Sequence, residues 1–292
     1  MPNIIEIILP TFFVIFIGYL IGKFTRIKIE PVVDINIYVA VPALVFVSLL
    51  SRKIVLLDAV KIWAAAIIII YGCLLVAWIT FRIMGKKHSG LYVPITIMNT
   101  VNIPFPIIYL AYGANGLVPA TLFDIPNNLS LYSFGIFTLT GKRWKENIRE
   151  IFRLPVIYSA ILGLLLNFLN VKVPGLLFNS LDFLSRMAIP LVLLVLGHNL
   201  SRSRMTSFPT TLLASFLRMG VGLAIGLAVV NLFNITGVFR SVVILDSAMP
   251  AAIMSSVLAT KYQNEPELVS SVVLLTTIAS IAVIPLLLNW LG

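Results

Sequence analysis

Ten apolar segments follow one another along the 292-residue chain, separated by short polar breaks, at about 3–22, 36–51, 60–81, 91–112, 117–140, 154–170, 175–198, 207–232, 238–260 and 267–290. A helix needs about 20 apolar residues to cross the hydrocarbon core of a bilayer. The pattern therefore predicts an all-α polytopic membrane protein of ten transmembrane helices. Charged residues make up 11% of the chain and hydrophobic ones 60%, whereas a soluble domain carries about 25% charged residues. A soluble enzyme is excluded on that ground. The first segment has no basic region before it and no small-residue cleavage site after it, so it reads as a span and not as a removable signal. Cys73 is the single cysteine, which allows no disulfide within the chain and no cysteine-rich metal motif.

A net charge of +10 suits a nucleic-acid partner only if the cations cluster on one face. Here they follow the connections between spans. With the N-terminus outside, fourteen of the 21 Lys and Arg residues fall on the inner side and six outside, leaving Arg218 inside a span. By the positive-inside rule this predicts both termini outside, in a multi-pass protein of the plasma membrane with no nucleic-acid partner. The densest inner stretch, 141–153, contains Lys142, Arg143, Lys145, Arg149 and Arg153. It reads as a short basic cytoplasmic linker with amphipathic character between two halves.

Those halves repeat one another. Leu9–Pro10 precedes Gly18 as Leu154–Pro155 precedes Gly163; Asp34 precedes Pro42 as Asp182 precedes Pro190; Asn102 precedes Pro106 as Asp246 precedes Pro250. The intervals match and come in the same order. Five spans per half make the second half enter the membrane from the opposite side. The expected organisation is thus a first five-helix repeat at 1–140, the linker at 141–153 and an inverted second repeat at 154–292. Spans 4 and 9 are interrupted at matching places, by Asn99, Asn102, Pro104 and Pro106 and by Asp246 and Pro250. Proline frees a backbone carbonyl, and such groups survive at membrane depth only inside protein or beside a wet cavity. Inverted repeats with discontinuous helices are the design of secondary transporters, with substrate bound near the midplane.

The polar residues inside spans are then the candidates for function. The amides of Asn99 and Asn102 offer donors without charge, for a substrate carboxylate or for gluing and capping helices. Asp246 reads either as a proton carrier or as the cap of a half-helix N-terminus. Asp124, with Pro126, Asn127 and Asn128, forms a polar cluster in span 5 that holds a cation or proton or pairs with Arg218. Arg218 is otherwise a snorkelling or ion-paired structural residue or an anion-attracting wall of the cavity. His88 and His198 read as surface residues, and no set of side chains has zinc spacing. Gly222 and Gly226 form a GxxxG face, which permits a homodimer.

At the broken spans the chain resembles a known family. NTVNIPFPIIYLAYG (99–113) and SAMPAAIMSSVLATKYQNEPELVSSVVLL (247–275) are similar to the two signature segments of the auxin efflux carrier family, within the bile acid:sodium symporter-like superfamily. LPTFFVIFIGYLIGK (9–23) and INIYVAVPALVFVSLL (35–50) are similar to its first two spans, and the short central loop matches its prokaryotic branch. The resemblance implies scaffold and transporter domains drawn from both repeats, helices 4 and 9 that cross, and elevator-like alternating access of small organic anions, auxin-like carboxylates or dicarboxylates. It matches the crossover asparagine to Asn99, the crossover prolines to Pro106 and Pro250, and the support position to the vicinity of Asn127. Pro104 departs from the small residue of the family, and Asn102 and Asp246 are additional polar groups.

The expected function is secondary-active transport of a small organic anion, not catalysis and without a resident cofactor. Asn99, Asn102, Pro106, Pro250 and Asp246 are the expected substrate-binding residues. Asp124, Asn127, Asn128 and Arg218 are expected as the coupling or support site, for a proton or a sodium ion. A sodium-coupled bile-acid-type symporter and a membrane sensor or channel remain as alternatives.

Overall fold

Long apolar runs with few charges leave the backbone only one way to satisfy itself in lipid, the helix. The computed structural model describes residues 4–51, 53–140, 155–202 and 205–291, so the expected linker at 141–153 lies outside the described residues. The described chain folds into helices α1 (Ile4–Phe24), α2 (Glu30–Ile35), α3 (Val41–Leu50), α4 (Leu56–Ile83), α5 (Tyr92–Thr96), α6 (Pro104–Tyr112), α7 (Ala114–Ser130) and α8 (Ile136–Thr140). After the linker come α9 (Pro155–Phe168), α10 (Gly175–Ser185), α11 (Ala188–Arg202), α12 (Phe208–Leu232), α13 (Gly237–Ser247), α14 (Ile253–Tyr262) and α15 (Pro266–Leu291). Among the described residues five helical stretches are long and apolar enough to cross a membrane: Glu30–Leu50, Leu56–Ile83, Gly175–Arg202, Phe208–Leu232 and Pro266–Leu291. Leu9–Phe24 and Pro155–Phe168 are shorter apolar helices. The segments at 91–112 and 237–262 are each split in two, which is why neither half reaches that length.

Prolines explain most departures from straight helix. Pro42 has no N–H and crowds the carbonyl four residues back. The turn before it widens into a π-turn over Asn36–Ala40, closed by the Val41 N–H onto the Asn36 carbonyl. The second span accordingly begins at Glu30, six residues earlier than expected, and runs through that bulge. A second π-turn, Leu131–Gly135, joins α7 to α8. Pro190 sits in the first turn of α11, and the chain breaks at Arg186–Met187 just ahead of it. Gly113, at φ +65°, makes the turn between α6 and α7, a left-handed conformation that glycine adopts without steric cost.

Packing joins the halves in an exchanged fashion. α1 lies against α11, α3 against α9, and α4 against α12. The α1–α11 contact is backbone to backbone: a Cβ at Gly197 would collide with the Ile15 carbonyl and the Tyr19 nitrogen, and one at Gly18 with the Leu194 carbonyl. His198, expected at the surface, is buried in this seam, where a Cβ at Gly22 would press on its carbonyl and ring. Its place is fixed by α1 covering that face of α11. The GxxxG residues of α12 also turn inward. Cβ atoms at Gly222 and Gly226 would strike Arg218 and Ser247, so the motif seats α13 and offers no face to a second copy.

Large apolar side chains such as Phe13, Phe16, Leu75, Ile281 and Leu286 face outward, as lipid contact requires. Cations gather at helix ends over aromatic rings: Lys23 over Tyr19 and Phe24, Arg82 over Trp78, Arg240 over Trp290. Amphipathic rings and snorkelling cations are the anchors expected at the membrane–water boundary.

Because the α1–α11 seam has no room for a side chain, Gly197→Ala should cost about 1–3 kcal/mol through overpacking. The check is the unfolding temperature of detergent-purified protein, with Gly175→Ala, where nothing lies within 4 Å, as the variant expected to be unchanged.

Candidate functional site

The two interruptions meet. Residues 97–103 separate α5 from α6, and residues 248–252 separate α13 from α14. They run antiparallel as a single bridge between Met98 and Ala251. The Asn99 N–H donates to the Pro250 carbonyl at 2.8 Å, and the Ala252 N–H donates to the Ile97 carbonyl at 3.0 Å. Each break thereby satisfies part of the other.

These exchanges leave carbonyls at the ends of α5 and α13 without their helical partners. The Asn99 N–H, which would have served Ile95, goes to Pro250; the Ala251 N–H, which would have served Ser247, goes to Thr276 Oγ1 at 3.1 Å. Arg218 fills the gap. Its guanidinium, fully buried, donates to the carbonyls of Ile95 (2.9 Å), Thr96 (3.0 Å) and Ser247 (2.9 Å). Two helix C-termini, each carrying partial negative charge, converge on one cation. The expected alternatives for Arg218, a partner for Asp124 or a wall of the cavity, give way to this. No acid meets it among the described residues: its partners are these backbone carbonyls and, at 3.9 Å, the Met98 sulfur.

Helix α7 holds the first break from its other side. Asn127 accepts from the Met98 N–H at 3.2 Å, and its amide donates to the Met98 carbonyl (2.8 Å) and to Thr100 Oγ1 (3.0 Å). Thr100 donates to Asp124 at 2.5 Å. Asn99 Oδ1 accepts from the Asn102 N–H at 3.0 Å. That bond orients the Asn99 amide, whose buried Nδ2 has no partner among the described residues.

Asn99, Thr100 and Asn102 line a cavity of about 250 Å³ together with Asn36, Asp124, Asn127, Asn128, Tyr132 and Asn199, and with apolar residues that include Ile253 and Met254 at the start of α14. Five expected site residues thus come together: Asn99, Asn102, Asp124, Asn127 and Asn128. Pro250 stands behind them as the carbonyl partner of Asn99. Pro106 lines a different cavity of about 500 Å³, further along the same helices, with Ser48, Tyr109, Asp182, Arg186 and Pro190. Asp246 is wholly buried, and neither carboxyl oxygen has a partner among the described residues. It belongs to the last turn of α13, ahead of the break, while the residue preceding α14 is Ala252. Asp246 is therefore no cap for a half-helix N-terminus: the helix continues one residue past it before it opens. Asn36 was not among the expected residues. Its signal was Pro42, six positions on, whose bulge places it in the cavity wall.

His88, also expected at the surface, is half-buried and pairs with Glu265 at 2.6 Å. Glu265 further accepts the Gly90 N–H, and Asn264 donates to the Leu139 carbonyl. This polar cluster ties the ends of α4, α8 and α14 together.

Apolar helices with outward apolar faces and two interruptions paired beside a polar cavity define a multi-pass membrane protein of the transporter class. Residues 3–288 match the family described as Membrane transport protein, and the chain belongs to it, the auxin efflux carrier family whose motifs the sequence carries. Two archaeal relatives span 96% of this chain and 96% of their own length. One, from Methanocaldococcus jannaschii, is 26% identical over 298 residues; the other, from Methanothermobacter thermautotrophicus, is 28% identical over 293 residues. Both are named uncharacterized transporters. The protein is a membrane transporter, and family and relatives alike are transporters and not enzymes.

Removing the Arg218 side chain strands three buried carbonyls, each worth about 1–3 kcal/mol when unsatisfied. Arg218→Leu should therefore lower the unfolding temperature sharply. Arg218→Lys should restore only part of the loss, because one ammonium cannot span both helix ends with the geometry of a planar fork.

Proposed function

We propose that the protein is a secondary-active transporter of a small organic anion, a carboxylate in the first instance. It works by alternating access about the paired breaks of spans 4 and 9. Ten spans in two inverted five-helix repeats, 1–140 and 154–292, would supply the two-fold relation that such access needs. The exchanged packing of α1 with α11 and of α3 with α9 supports this, since each half then buries its first two spans against the other. We place both termini outside and the protein in the plasma membrane, on the distribution of Lys and Arg. In that orientation the 250 Å³ cavity opens toward the cytoplasm and the cavity containing Pro106 toward the outside.

The observation that carries the reading is the Asn99 amide. Asn99, whose buried Nδ2 has no partner among the described residues, lines a cavity whose described lining includes no Lys, Arg or His. The N-terminal turn of α14 borders the same space. Amide donors and the partial positive charge of a helix N-terminus bind an anion without a fixed cation that would hold it too long. Asn99→Ala should abolish substrate-dependent current in proteoliposomes while the unfolding temperature stays near that of the parent. Unchanged current would remove Asn99 from the site.

Coupling follows from Asp124. Ionised, it would repel an anion sharing a cavity this small, so the anion enters with Asp124 protonated and a proton travels with it. Asp246 is a second proton carrier. It is buried without a partner at the C-terminal end of α13, where the helix dipole opposes a negative charge. The expected result is uptake that rises toward acid pH in the parent and loses its pH dependence in Asp124→Asn or Asp246→Asn. A profile unaltered in both variants excludes carboxyl coupling. Replacing sodium by choline in the same assay separates proton coupling from the bile-acid type of sodium symport, which alone would lose flux.

A further inference from the structure

The cavity of about 500 Å³ that contains Pro106 is lined at positions that answer to those of the smaller one. The interval that carries Asp34 to Asp182 and Pro42 to Pro190 also carries Leu44, Val47 and Ser51, on the wall of the larger cavity, to Val192, Val195 and Asn199, on the wall of the smaller. The interval from Pro106 to Pro250 carries Tyr109 and Leu110 to Ile253 and Met254 in the same way. The two walls differ in charge. Arg186, whose counterpart is Tyr38, puts a fixed cation in the wall of the larger cavity, and the described wall of the smaller has none.

Arg186 sits where the chain breaks between α10 and α11, and its guanidinium bonds Asp182 one helical turn back, through Nε at 3.2 Å and Nη2 at 2.8 Å. Both bonds go to the same oxygen, Oδ2, whereas the strong arginine–carboxylate pair is a fork that uses both oxygens. The Arg186 side chain is 74% exposed and that of Asp182 35%, and an exposed pair of this kind contributes little to stability. Asp182 therefore aims the guanidinium without consuming it. The first turn of α11, through Ile189 and Pro190, borders the same space and adds the partial positive charge of a helix N-terminus. Val14, Val47, Leu117 and Leu193 supply apolar wall.

We propose that Arg186 is the anion receptor of the larger cavity, taking the carboxylate of a small organic anion as a two-oxygen fork in exchange for Asp182. This rests on the anion reading above and adds to it a second binding site, apart from Asn99. The two cavities then hold the same carboxylate by unequal means, one through a fixed charge and the other through amides. The apolar wall takes the body of the anion in both.

The test labels full-length protein in detergent with a maleimide at Ser51→Cys, a position on the wall of this cavity; the native Cys73 is buried. Benzoate, phenylacetate and succinate are the probes, and benzamide is the uncharged control. At least one of the three carboxylates should slow the labelling where benzamide does not. Adding Arg186→Gln should raise the half-protecting concentration about tenfold, the loss of one charge-assisted hydrogen bond, read against that variant's own unprotected rate. No protection by any carboxylate, equal protection by benzamide, or protection that survives Arg186→Gln overturns the assignment. Calorimetric titration with the same three salts registers anion binding anywhere on the protein. Heat without protection overturns the role of Arg186 alone, and no heat from any of the three overturns the anion reading with it.

Discussion

The centre of this protein depends on how two interrupted helices satisfy the backbone they expose. In water the stranded carbonyls at the ends of α5 and α13 would be hydrated at no cost. At membrane depth they must find donors in the protein, and the buried guanidinium of Arg218 supplies three. Burying a cation is itself expensive, but here two helix dipoles oppose that cost from two directions. With the C-terminal halves of the breaks neutralised by Arg218, α14 is left to present its N-terminal end to the cavity. One charge thus settles which side of the crossing carries negative potential and which carries positive.

The supporting residues follow from the same requirement. Asn127 bonds the backbone of Met98 through both ends of its amide, in the manner of an adjacent strand. Thr276 performs the corresponding service for Ala251 in the second break. Gly222 leaves space on α12 for the guanidinium and for the Ser247 carbonyl. A cluster that looks like a binding site in the sequence is in part a scaffold for non-helical backbone, and Asn99 is the member whose donor remains unspent.

How much of this was legible beforehand divides along a physical line. Losses of a backbone donor are written into the chain wherever proline occurs, so the breaks near Pro106 and Pro250 and the irregular second span were foreseeable. Apolar periodicity marked the helices, and the paired intervals marked the correspondence between the breaks. Bonds from side chains to backbone carbonyls leave no such mark. Arg218 therefore suggested an acid partner that it does not have, and Asp246 suggested a cap because its distance from Pro250 says nothing of where the helix opens. His198 lies among polar neighbours in sequence and is covered by α1, a contact between distant segments that no local pattern encodes. Asn36 combined both difficulties, since its exposure to the cavity is decided by a proline six residues later.

The π-turn at Asn36–Ala40 also sets the chain's tolerance to changes in length. It accommodates one residue more than an α-helical turn, and each residue of an α-helix advances about 100° around the axis. Deleting a single residue between Asn36 and Pro42 would let the segment close into regular helix at little thermodynamic cost. It would also swing Asn36 through that angle, away from the cavity. The extra residue works as a phase shift between α2 and α3, and such a shift is invisible to any comparison that scores residue identity without counting the spacing between them.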